Sequence, residues 1–138
     1  MPRERKMESM HETFCFMRLG QYCKRASVDH LFDPNLFESQ LRRQVSMLIE
    51  KDTTAWRTEY VCKPSFFIRS RDSILYPEHR ELAALEADFI RNGIGSEGVW
   101  DPSWQWAEYP NEWAVSKKWW QGDIAVKNLL FVEAISGS

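Results

Sequence analysis

A chain of 138 residues is long enough for one hydrophobic core and too short for two comfortable ones. Its formal charge of −2, with basic residues clustered only in the opening Pro2–Lys6 run, excludes a non-specific nucleic-acid binder, which draws on clustered Lys and Arg. Hydrophobic (43%) and charged (28%) fractions are ordinary for a globular domain, but 14% aromatic is high, and the excess is local: six of the seven tryptophans fall between Phe89 and Trp120.

Residues 1–7 read as a flexible, solvated tail. From Glu8 to about Ala26, Phe14, Met17, Leu19 and Tyr22 recur at helical intervals, interrupted by Gly20. Cys15 and Cys23 lie eight apart on this helix and read as small apolar filler rather than a reactive pair. With Cys62 they make an odd number without CxxC spacing, so neither a disulfide framework nor a metal site is expected, and a reducing, cytoplasmic compartment is. His11 and His30 flank this helix without a carboxylate or second histidine at metal-ligand spacing in the sequence, and read as structural or solvated. Asp33-Pro34 is a helix start, an N-cap oxygen followed by proline at the first helical position, and the helix should reach about Lys51 on a stripe of Phe37, Leu41, Val45, Leu48 and Ile49. Asp52-Thr53-Thr54 then caps a short turn carrying Trp56 and Tyr60.

Lys63 to Tyr76 loses periodicity and reads as a long connection that packs Phe66, Phe67 and Ile68, with Arg69 and Arg71 expected on acidic partners. Pro77 opens a helix whose stripe is Leu82, Leu85, Phe89 and Ile90, with Ala83, Ala84 and Ala87 allowing close approach, and Asn92-Gly93 ends it. A helix from Asn111 to Gln121 should break at Gly122-Asp123 before a last one from Ile124 to about Ala134, and residues 136–138 should fray. About six helices and no convincing strand pair make the class all-α, with one helical domain over 8–135. No apolar run approaches a membrane span, and the N-terminus carries charges where a signal peptide has its apolar core, so a soluble, unprocessed protein is expected.

Phe89-Ile90, three residues, Ile94, three residues, Gly98, one residue and Trp100 resembles the QW repeat of the squalene–hopene cyclase and protein prenyltransferase superfamily, with Ile94 where that family has glutamine. The following Trp104-x-Trp106, Tyr109-Pro110 and Trp120-x-Gly122 are similar to the segment after such repeats, so that the resemblance covers about residues 77–135. It implies a partial α/α-toroid of stacked helical hairpins. It does not carry over an activity, because the chain lacks both the Asp-rich motif of the cyclases and the Asp, Cys and His zinc set of the prenyltransferases. Independently of the family, Gly98 supplies a free backbone geometry, and Trp100 is expected to fold back over the preceding helix end and seal it. Six helices cannot close a toroid, so an open arc would expose an apolar face, and a homodimer is expected to cover it.

Two functions fit the aromatic stretch. The first is a cofactor-independent cyclase or isomerase for an apolar, terpenoid-like small molecule, in which Trp104, Trp106, Tyr109, Trp113, Trp119 and Trp120 line the pocket and stabilise positive charge, and Asp101, Glu108 or His79 acts as acid or base. The second is a non-catalytic interaction or hydrophobic-ligand module, in which the tryptophans are core and a leftover apolar face docks a partner. On that second reading Asp101 caps a turn with Pro102, Glu108 is solvated, and His79 is exposed.

Overall fold

In the computed structural model, which describes the backbone of residues 2–137 and the side chains of residues 10–137, every regular element is helical. The class is all-α, as expected. In order these are α1 (Pro2–Arg25), α2 (Pro34–Leu48), α3 (Ala55–Thr58), α4 (Tyr76–Asn92) and α5 (Pro110–Ser136), with single 3-10 turns at Asp29–Leu31 and Pro64–Phe66. The chain divides into two compact units, Met1–Glu50 and Lys51–Ser138. No helix among the described residues is long and apolar enough to cross a membrane.

The first unit is a hairpin of α1 on α2. Helix α1 begins at Pro2, so the backbone of the run read as a tail is helical, while the side chains of residues 1–9 lie outside those described. Its buried side is Met10, Thr13 and Met17; Leu19 and Tyr22 are exposed, as is Cys15, which is therefore not core filler. Gly20 does not break the helix. A Cβ there would lie 2.5 Å from the Phe37 ring of α2, so the missing side chain is what lets that ring lie against α1. Helix α1 stops where Ser27 takes a positive φ of 59° and the Val28 N–H returns to the Cys23 carbonyl at 2.9 Å. Helix α2 starts as its sequence dictates: Asp33 Oδ1 accepts from the N–H groups of Asn35 (3.0 Å) and Leu36 (3.2 Å), and Pro34 follows. Leu41, Val45 and Leu48 form its buried stripe, and it ends at Leu48 rather than Lys51, with Ile49 as C-cap.

In the second unit Asp52 Oδ1 accepts from the Thr54 N–H (3.0 Å) and hydroxyl (2.6 Å), setting up α3, whose Trp56 is buried edge-on to Phe89. The connection that follows packs Phe67, Ile68 and Leu75 into the core. Helix α4 carries Pro77 in its first turn and packs against both the Pro64–Phe66 turn and α5. Its buried face is His79, Ala83, Glu86 and Ile90, spaced four, three and four apart, with Ala87 beside Glu86. Leu85 is exposed and Leu82 half-buried, so the expected leucine stripe is displaced toward the alanines. Small side chains admit a neighbouring helix more closely than leucines do, and that closeness decides which face turns inward.

Helix α5 is one continuous helix of 27 residues where the sequence suggests two. Gly122 lies within it, with nothing inside 4 Å of where its Cβ would be. A central glycine costs about 1 kcal/mol relative to alanine. Burying Trp113, Phe131 and Ile135 on the inner face contributes about 1.5–3 kcal/mol each, which outweighs that cost. The last turn of α5 is tied down: Arg71 donates through two guanidinium nitrogens to the Ile135 carbonyl (2.9 and 2.6 Å), a cation at the negative end of the helix. Arg91 adds a hydrogen bond to Ser136, the last helical residue, and Gly137 is the C-cap; Ser138 lies outside the described residues. Arg71 thus engages a helix terminus rather than the acidic side chain expected for it.

Candidate functional site

The aromatic stretch begins with a capping device. Beyond Gly93, the C-cap of α4, the chain turns through a loop in which the Gly95 N–H reaches the Val99 carbonyl at 2.8 Å and Gly98 takes a positive φ of 77°. That reversal returns Trp100 to the helix end, where its indole N–H donates to the Ile90 carbonyl at 2.7 Å. The half-buried indole thereby places its donor on a carbonyl at the helix end that also receives the Gly93 N–H at 3.1 Å.

Past Trp100 the rings pair among themselves. Trp104 packs edge-on against Trp120 at 5.2 Å between centroids and against Tyr60 at 5.7 Å, so that one side chain joins the post-α3 segment to α5. Trp106 and Trp113 lie 5.4 Å apart at a tilt, with Trp113 buried on the inner face of α5. Such contacts contribute about 0.5–1.5 kcal/mol each beyond area burial and fix the 101–109 segment on the first half of α5. Tyr109 is the exposed N-cap residue of α5, and Trp119 points outward, 74% exposed.

The three expected acid–base residues occupy different settings. Asp101 is exposed, accepts from Gln121 Nε2 at 2.8 Å and lies 3.5 Å from Lys117 Nζ, so it clamps the loop to α5. Glu108 is exposed just ahead of Pro110. His79 is buried in the first turn of α4, at a kink where its backbone leaves helical geometry (φ −117°, ψ 15°), rather than exposed. Burial holds its pKa below the ordinary value, with Glu78 opposing and Lys51 reinforcing the shift.

One polar cluster escaped the sequence reading. Glu86, 1% exposed, accepts from the Ser65 N–H through Oε2 (2.8 Å) and from the Ser65 hydroxyl through Oε1 (2.5 Å). Desolvation pushes its pKa up to about 7 against the lowering effects of both hydrogen bonds and of Lys63. The Lys63 ammonium lies 5.4 Å from the Phe89 ring centroid, and burial lowers its pKa. A hydroxyl beside a carboxyl group titrating near 7 is the makings of a nucleophile and base. Here both carboxyl oxygens are committed to Ser65, and their effect is to hold the start of the Pro64–Phe66 turn against α4. The available signal was position: Glu86 falls on the same three-and-four spacing as Ala83 and Ile90, a carboxylate within an otherwise inward-facing stripe.

Among the described residues no group of three or more His, Cys, Asp or Glu side chains is arranged to hold a metal ion. Comparison with protein-family models, with curated proteins and with solved structures finds no match for this chain.

Proposed function

We propose that this protein is a non-catalytic interaction module whose working surface is the outward face of α5. The observation that carries the reading is that α5 is apolar on two opposite sides. Trp113, Ile124, Phe131 and Ile135 share its inner side, and three of these are buried. Rotated by half a turn, Val115, Trp119, Val126, Leu129 and Leu130 share the other side, each more than half exposed. A helix that is apolar all round belongs in an interior, so the second face calls for a cover. The resemblance to toroid hairpin arrays implies the same need. The three free cysteines suit the reducing cytoplasm in which we place the module.

The cyclase or isomerase reading draws less support. It asks for a carboxyl group desolvated among rings that face a substrate, whereas Asp101 and Glu108 are exposed and Trp104, Trp106, Trp113 and Trp120 meet one another edge-on or tilted.

The test places a photoreactive residue at Trp119 and, as a control, at the exposed Glu81 of α4. Irradiated cells should yield a covalent adduct from position 119 and none from position 81. The absence of any adduct at 119, with the variant folded by circular dichroism, would remove the proposal.

A further inference from the structure

Resting on the interaction reading, we infer that the outward face of α5 pairs with the same face of a second copy, the two helices running parallel. Glu112, Val115, Trp119, Gly122, Val126, Leu129 and Glu133 follow one another at alternating steps of three and four, the spacing of a two-stranded helical seam. The five apolar residues of the face expose on the order of 600 Å² per copy, so a pair would bury about 1,200 Å², the lower edge of specific interfaces. Gly122 sits mid-seam with open space in front of it, which lets two helix backbones approach closely.

Charge selects the occupant and the direction. In a parallel pair, the residue before one seam position faces the residue five places further along in the second copy. That rule sets Lys118 of each copy beside Asp123 of the other, twice over by symmetry, and Ala125 beside Leu130. Lys118 is exposed, and Asp123 is exposed with Lys127 of its own helix 2.8 Å away, so the partner lysine would complete a three-charge group. An antiparallel pair about Gly122 would instead bring the two Asp123 side chains toward each other at its centre. In the parallel pair Glu112 and Glu133, at the two ends of the seam, face their own counterparts, so the self-complementary charge that selects a second copy lies in the two central Lys118–Asp123 pairs.

Sedimentation equilibrium of the full chain at micromolar concentration should show a dimer. Val126→Glu and Leu129→Glu should each weaken it by at least about ten-fold while leaving helicity unchanged. Lys118→Asp and Asp123→Lys should each weaken it by about five-fold, and the double variant K118D/D123K should restore it to near the original strength. A wild-type monomer would overturn the second-copy assignment, and failure of the double variant to restore pairing would overturn the parallel direction. Neither result touches the interaction reading, which stands or falls on the adduct at position 119: an adduct of twice the chain mass supports the inference, and one of any other mass overturns it while keeping the module.

Discussion

The indole N–H of Trp100 donates to the carbonyl oxygen of Ile90 at 2.7 Å, closing the end of α4 with a side chain ten positions later. Trp100→Phe keeps the ring and removes the donor. The expected loss is about 0.5–1.5 kcal/mol of stability in the second unit, because the carbonyl keeps only the Gly93 N–H at 3.1 Å and loses the indole donor. Chemical denaturation of wild type and variant, followed by far-ultraviolet circular dichroism, measures it; equal midpoints would mean that the ring alone seals the helix.

The two helical glycines should respond to alanine with opposite signs. At Gly20 the new Cβ meets the Phe37 ring at 2.5 Å, and the overpacking, about 1–3 kcal/mol, exceeds the gain in helix propensity. At Gly122 nothing lies in the way, so Gly122→Ala should stabilise by about 0.5–1 kcal/mol. The second comparison is best made in the Val126→Glu background, where association does not contribute to the melting curve.

Glu86 predicts a specific pH dependence. Its carboxyl is raised from an ordinary 4.5 to about 7 in the folded protein, so between these values the folded state holds a proton that the unfolded chain has released. Stability from this group is therefore complete below pH 4.5 and is lost as pH rises to about 7 and above, by an amount on the order of 3 kcal/mol. Glu86→Gln can keep the contacts to Ser65 and should abolish the dependence. His79 works in the other direction: with its pKa lowered, stability present above pH 6.5 is lost as pH falls below it. The difference between wild type and Glu86→Gln across pH 4.5–8 isolates the carboxyl, and a flat difference would count against a buried, protonatable Glu86.

Arg71→Ala should cost about 1–2 kcal/mol and loosen the last turn of α5, since it removes both charge-assisted donors to Ile135. Amide hydrogen exchange would show faster exchange over the last turns of α5, with α2 unchanged. Arg71→Lys should recover only part of the loss, because an ammonium cannot reproduce the two-nitrogen grip.

Features set by neighbouring residues were legible in the sequence. Asp33-Pro34 begins a helix because the cap and the proline act within one turn, Gly93 ends one, and Gly98 and Trp100 form a seal because the required backbone and donor lie within a few positions. What depends on distant partners was not legible. Gly122 looks like a terminus until packing along the inner side of α5 carries the helix through it. Leu85 looks like core until the alanines of α4 prove to be the closer-packing face, and Glu86 has no role in the sequence until Ser65, 21 residues earlier, is found on it. Of the aromatic stretch, composition showed that the rings belong together, but only the fold shows that Trp104 meets Trp120 while Trp119, its neighbour in sequence, faces outward.

The bond from Arg71 to Ile135 joins positions 64 apart, against 21 for Ser65 with Glu86 and 10 for Trp100 with Ile90. Closing a wider chain segment carries a larger entropic penalty, about 0.6 kcal/mol per doubling of its length, so this clasp is expected to form after the two shorter contacts and to open before them. The first excursion of the native second unit is then a fraying of α5 from its far end, ahead of any loss of the Trp104–Trp120 pairing. A protease given brief access to the folded protein should cut within the last turns of α5 before it cuts anywhere in α4.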